Sequence, residues 1–178
     1  MKVTAASDTS ASPGNPAGVD VVAVPGSFHS FYTDNHQSIV RALSLTLGDT
    51  QLATEAADEA MCRALQRWDK VSTFENAQGW VYRVGLNWAR SWLRRRRRER
   101  DRPIVFGPLV AQQVPVDPSL IAALRELSVE QRSVVVLRYY LDWSVGETAA
   151  ALDIAPGTVK SRLARALDQL RALMGDPS

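Results

Sequence analysis

Between Ser144 and Leu173 the sequence leaves room for little besides two helices and a tight corner. Ser144 followed by Glu147 is a capping box, in which each side chain satisfies a backbone amide that the first helical turn leaves orphaned. Val145, Ala149 and Leu152 give that helix an apolar side, and Asp153-Ile154-Ala155 interrupts it. Pro156 suits the first turn of a second helix, where its missing N–H costs no hydrogen bond. Val159, Leu163, Ala166, Leu167, Leu170 and Met174 then recur at helical spacing and form one face. At about 100° per residue, Thr158, Ser161, Arg162 and Arg165 fall on the opposite side, with Lys160 toward the flank. Two helices, a tight turn and a polar, basic second helix make a helix-turn-helix. Such a helix fits the DNA major groove, where Arg reads guanine edges and Ser or Thr holds phosphates. On pattern alone, a helical hairpin with a solvated polar face stays open as the alternative.

A second basic element lies upstream. Ala77 to about Arg98 reads as one long amphipathic helix. Val81, Val84, Trp88 and Trp92 share its apolar side, while Arg83, Asn87, Arg90, Arg94 and Arg97 form a stripe opposite. A solvated face normally mixes signs, and this stripe holds no acid. Net charge is only +2, yet Arg83 to Arg102 contains nine Arg against Glu99 and Asp101, a local +7, so the remainder sums to −5. That asymmetry points to polyanion binding by one part of the chain, with a phosphate backbone the best fit to a helical stripe. A localisation signal or a non-specific polyanion patch is the other reading of such a tract. Trp80 and Ser91 flank the stripe; Trp80 is placed to stack on an unpaired base, whereas Trp88 and Trp92 read as core.

The remaining chain sets the architecture. Residues 1–26, rich in Ala, Ser, Thr, Pro and Gly, read as a disordered tail. Phe28 to Leu47 reads as a helix with a wide apolar face, and Gly48-Asp49 ends it. Leu52 to Trp68 follows, with Leu52, Ala56, Ala60, Leu65 and Trp68 inward and Glu55, Asp58, Glu59, Arg63 and Arg67 polar. Pro103, Pro108, Pro115 and Pro118 forbid a long helix between Asp101 and Ser119 and mark a linker. Leu120–Leu127 and Val129–Tyr140 are two further helices, with Ser128 and Gln131 a capping box between them and Trp143 a staple for the next helix. The expected fold is all-α: a tail over 1–26, a helical domain over 27–100, a Pro-rich linker over 101–118 and a helix-turn-helix domain over 119–175. The two domains are expected to move independently when no partner is bound.

Several function classes find no support. Cys62 is alone, so no internal disulfide forms, and a lone helical Cys reads as a small buried hydrophobe. His29 and His36 are too few for a metal site, and no phosphate-binding Gly loop or nucleophile–base spacing is present. No catalytic residue, metal or cofactor is therefore expected. No stretch approaches the roughly 20 apolar residues of a membrane span.

The run Gly157-Thr158-Val159-Lys160-Ser161-Arg162-Leu163-x-Arg165-Ala166 resembles the carboxy-terminal DNA-binding domain, region 4, of bacterial sigma factors. Asp153 stands where that family usually has Gly, and Ala155 where it usually has Ser. Phe31-Tyr32, Ile39-Val40-Arg41, Leu47-Gly48-Asp49, Arg63-Ala64-Leu65-x-Arg67-Trp68, and Gly79-Trp80-Val81-Tyr82-Arg83-Val84 with Asn87 and the Arg run resemble region 2 of the extracytoplasmic-function sigma factors. The resemblance covers about residues 28–100 and 119–174. It departs at Glu55-Ala56-Ala57-Asp58-Glu59, where many relatives have Asp-Leu-Val-Gln-Glu, and at Ser91, where many have Asp.

The resemblance implies a cytoplasmic, non-enzymatic protein that binds core RNA polymerase and promoter DNA, with an anti-sigma protein as a further partner class and no membrane contact. It implies minus-ten contacts from Trp80, Arg83, Asn87, Arg90 and Arg94, and minus-thirty-five contacts from Thr158, Lys160, Ser161, Arg162 and Arg165. Glu55, Asp58 and Glu59 are the candidates for meeting polymerase, or else a solvated helix face. The rival readings are a stand-alone helix-turn-helix regulator and a helical protein-interaction module.

Overall fold

The computed structural model describes residues 27–99 and 117–175, so the expected tail and most of the expected linker lie outside the described residues. The described residues form helices α1 (Phe28–Leu47), α2 (Thr50–Gln66), α3 (Trp68–Val71), α4 (Ala77–Glu99), α5 (Pro118–Glu126), α6 (Val129–Tyr139), α7 (Val145–Leu152) and α8 (Pro156–Met174), with no strand among them.

Local chemistry starts and stops these helices. Ser27 caps α1, Asp49 caps α2 through a 2.9 Å bond from the Leu52 amide, and the Asn76 side chain accepts from the Gly79 amide at 2.6 Å. Gly48 closes α1 in the left-handed region at φ 75°, where a Cβ would be strained. Both capping boxes form: Ser128 with Gln131 at α6 and Ser144 with Glu147 at α7.

Helices α1, α2 and α4 pack on one another, and α8 gathers α5, α6 and α7. The two groups also meet, α1 against α6 and α4 against α7. This explains why α1 is buried from Ile39 to Leu47 at every position but half-buried Arg41, polar Ser44 and Thr46 included. One continuous core runs from Ile39, Leu43 and Ala56 through Tyr82 and Leu86 to Val136, Leu137 and Trp143. A smaller cluster of Val134, Ala149 and Val159 underlies the helix-turn-helix. The sequence led us to expect independent halves; in the structure they are docked through shared apolar surface.

Three local expectations change. Leu65 is 55% exposed, because the buried face of α2 runs through Ala53, Ala57, Met61 and Ala64, and Leu65 falls about 40° past Met61, outside the edge of that face. Trp68 belongs to α3 rather than α2, packing its ring 5.0 Å from Phe31 and 5.4 Å from Phe28. Cys62 is exposed instead of buried.

Candidate nucleic-acid interface

The corner of the helix-turn-helix forms without the residues best suited to it. Asp153 ends α7 in the left-handed region (φ 57°, ψ 49°), a conformation that Asp tolerates better than most non-Gly residues. Ala155 takes the N-cap position of α8 with no side-chain hydrogen bond, and Pro156 opens the helix. Val159 is fully buried beneath α8 and half-buried Leu163 packs beside it, so the opposite side of the helix is fixed outward. Lys160, Ser161 and Arg165 are exposed, and Thr158 and Arg162 are half-buried. The Ser161 hydroxyl donates to the Thr158 carbonyl at 3.1 Å. No carboxylate among the described residues lies within ion-pair distance of Lys160, Arg162 or Arg165. Such a surface presents cations and hydroxyls on one rigid element, which suits base edges and phosphates together.

Helix α4 carries the second basic surface. Asn87 and Arg94 are exposed, with the Arg94 guanidinium donating to the Ser91 hydroxyl at 2.8 Å. The Arg97 side chain lies outside the described residues. Trp88 and Trp92 pack against the core, and the Arg96 guanidinium sits 4.7 Å from the Trp92 ring centre. Trp80 packs against Phe74 with ring centres 6.3 Å apart. Trp80 and Arg83 share a cleft of about 640 Å³ that opens between α4 and α7 and whose far wall includes Ser144 and Glu147. Hydrogen bonds from the Ser144 side chain and backbone hold the Glu147 carboxyl below its ordinary range.

Arg83 and Arg90 are not free. Arg90 pairs with Glu130 of α6 at 3.0 Å, and Arg83 approaches Asp153 of the turn at 3.7 Å. Exposed ion pairs of this kind contribute about 0–1 kcal/mol each. The firmer contact is Tyr82, fully buried beside Arg83. Its hydroxyl is 2.7 Å from the Thr46 hydroxyl, and burial pushes its pKa up, partly offset by the Thr46 and Ser133 hydroxyls. Trp143 meets the Tyr82 ring edge-on at 6.5 Å, with its carbonyl held by the Arg138 guanidinium. The expected staple of α7 thus reaches across to α4. Periodicity did not single out Tyr82, Glu130 or Trp143 as partners, because nothing local to any of them names a contact so distant in sequence.

The acidic face of α2 is partly engaged within the chain. Asp58 pairs with His36 at 2.7 Å and Glu59 with Arg63 at 2.7 Å, while exposed Glu55 accepts from Gln51 at 3.2 Å.

Comparison with known proteins agrees with this arrangement. Residues 31–99 match the family model for Sigma-70 region 2, and residues 118–170 that for Sigma-70, region 4. The RNA polymerase sigma-E factor of Streptomyces coelicolor is 31% identical over 156 residues, covering 81% of this chain and 84% of that protein. The ECF RNA polymerase sigma factor SigL of Mycobacterium tuberculosis is 34% identical over 151 residues, covering 78% and 84%. SigM of the same organism is 31% identical over 151 residues, covering 83% and 77%. Among solved structures, the sigma factor RpoE in complex with the anti-sigma factor NepR from Bartonella quintana shares the fold. Its TM-score is 0.69 at 22% identity, over 85% of this chain and 98% of that one. Two region signatures in the same order, with relatives 31% identical over about four-fifths of the chain, place it among the extracytoplasmic-function (ECF) sigma factors of bacterial RNA polymerase.

Proposed function

We propose that this chain binds core RNA polymerase and directs it to promoters, reading the minus-thirty-five element with α8 and the minus-ten element with α4. The observation that carries this reading is the pairing of two basic helical surfaces, region 2-like and region 4-like, on one chain. On α8, Thr158, Lys160, Ser161, Arg162 and Arg165 stand away from the buried Val159. On α4, Arg83, Asn87, Arg90 and Arg94 supply phosphate contacts and Trp80 a stacking surface for a melted strand. The protein acts by positioning polymerase and carries out no chemistry of its own. Glu55, Asp58 and Glu59 are the polymerase-facing acids, of which Glu55 is the least engaged within the chain.

No described helix is long and apolar enough to cross a membrane, and the protein is assigned to the cytoplasm, where its polymerase is. An anti-sigma protein is a natural regulator, since the similar RpoE is held by one. The deciding experiment is transcription in vitro with purified core polymerase. Promoter-specific initiation should depend on adding this chain. A protein that binds promoter fragments alone as a symmetric dimer and leaves initiation by core polymerase unchanged would instead be a stand-alone regulator.

A further inference from the structure

We infer that the far end of α4 is a site for double-stranded DNA, held in a groove by Arg94 on one side of the helix and Arg96 on the other, with Ser91 and Trp92 positioning the two guanidinium groups. The inference rests on the function proposed above and names the nucleic acid that this end takes: the intact duplex that flanks the melted stretch.

Three observations carry it. First, α4 outruns its core. Ala89 is its last buried side chain among the described residues, and the helix continues for more than two turns beyond it. Second, cations stand around this end. The sequence runs Arg94 to Arg98 without a break. At about 100° per residue, Arg94, Arg95 and Arg96 leave the axis in directions that span about 200°. Neither these three nor Arg98 lies within ion-pair distance of a carboxylate among the described residues. A single strand or a flat acidic surface meets only one side of such an element. A duplex groove offers phosphates on both sides, and the major groove, about 12 Å wide, matches a helix about 10–12 Å across. Third, two guanidinium groups on opposite sides of the helix are fixed by partners without charge. The Ser91 hydroxyl accepts from Arg94 at 2.8 Å, and Arg96 sits 4.7 Å from the centre of the Trp92 ring. Arg83 and Arg90, by contrast, are met by carboxylates at 3.7 Å and 3.0 Å. A carboxylate offsets the charge that a phosphate seeks, whereas a hydroxyl or a ring orders the side chain and leaves the charge whole. Ordering in advance removes part of the rotamer cost of binding.

Salt titration of holoenzyme on an intact promoter duplex, and on a single-stranded minus-ten oligonucleotide, tests the site. Arg94→Gln and Arg96→Gln should each lower the slope of log affinity against log salt by about one on the duplex, and leave the slope on the single strand unchanged. A lowered slope for only one of the two variants would mean one-sided contact and overturn the groove. Equal losses on the single strand would overturn the duplex assignment. Weaker binding of the variants to core polymerase, with both DNA slopes unchanged, would assign this end to an acidic protein surface instead and overturn the site.

Ser91 separates positioning from charge. Ser91→Ala keeps both cations and should weaken duplex binding about two- to fivefold at an unchanged slope. Ser91→Asp puts a carboxylate beside Arg94 and should lower the slope by about one, as Arg94→Gln does. Wild-type behaviour in both would overturn the role of Ser91. Initiation by the wild-type holoenzyme reports on the sigma reading separately. If initiation is absent, that reading fails, and the same slopes measured with the full chain alone on plain duplex and single strand still decide the groove site.

Discussion

Tyr82 in the middle of α4 and Trp143 ahead of α7 meet edge to face, 6.5 Å between ring centres, and so join two halves that separate family models describe. The contact makes the docking of the halves a measurable part of stability. Tyr82→Phe keeps the ring and deletes the hydroxyl that bonds Thr46 inside the core. Loss of a buried hydrogen bond costs about 1–3 kcal/mol when a partner is left unsatisfied. Tyr82→Ala, which also empties the ring's volume, should cost about 3–5 kcal/mol. Urea denaturation of the full chain gives both values. Equal and negligible losses would mean that Tyr82 is not buried in solution.

The helix-turn-helix contains a removable defect. The Thr148 hydroxyl is fully buried in α7 and has no hydrogen-bond partner among the described residues. Thr148→Val replaces it by a methyl of similar size in an apolar setting. Removing an unsatisfied buried polar group should stabilise by about 1–2 kcal/mol. A thermal melt showing lower stability for the variant would reveal a partner for this hydroxyl.

These two sites mark what was and was not legible in the sequence. Features set within one turn of helix were readable: the Ser144–Glu147 and Ser128–Gln131 boxes form, Pro156 opens α8, and Val159 faces inward. Each follows from spacing alone. Docking of the halves was not readable. Tyr82 lies between the Arg stripe and the apolar side of α4, where periodicity is ambiguous, and Trp143 had an adequate local role as a staple. Glu130 and Asp153 carried no signal of a partner, since an ion pair between distant segments leaves no periodic trace. Leu65 went wrong for a related reason: an apolar residue one step off a helix face counts toward the face in composition but not in geometry. The candidate DNA-contacting residues were legible as types and spacings, whereas the ion pairs of Arg83 and Arg90 with the other half were not.

Acid should weaken the start of α7 before it affects the apolar core. The Glu147 carboxyl is held below its ordinary range by bonds from Ser144, so the folded state favours the charged form. Its contribution is complete above the ordinary carboxylate pKa of about 4.3 and fades as pH falls from there through the lowered value. Glu147→Gln should lose that dependence, and its stability should vary less than that of wild type as pH falls below about 4.3. Parallel acid profiles for the two proteins would show that the capping box is absent in solution.

The basic stripe should reveal itself through salt. Arg94 is exposed and pairs with no carboxylate among the described residues, so Arg94→Ala should leave folding intact. Each lost phosphate contact lowers the slope of log affinity against log salt by about one. Holoenzyme carrying Arg94→Ala, and separately Arg90→Ala, should each show that reduction on promoter DNA. An unchanged slope for both would remove α4 from the DNA interface.

Helix α8 should divide sequence reading from general affinity. Its first turns, led by Pro156, are those that enter a groove first in helix-turn-helix docking. Arg165 is exposed about 120° around the helix from Val159, and half-buried Arg162 lies on the flank about 60° from it; both carry fork-shaped guanidinium groups that bind guanine bidentately. Such a contact discriminates by about 1–3 kcal/mol. Lys160 is exposed toward the flank, where its ammonium serves a phosphate as a point charge. Arg162→Ala should therefore relax preference at one or two upstream promoter positions, whereas Lys160→Ala should weaken binding to every sequence about equally. Val159→Asp should unfold this half outright, because it places a charge in the fully buried cluster with Val134 and Ala149. A promoter-library selection with wild type and the two surface variants separates these outcomes, with circular dichroism reporting the third. Base preferences unchanged by Arg162→Ala would show that α8 reads sequence through other residues, Arg165 first among them.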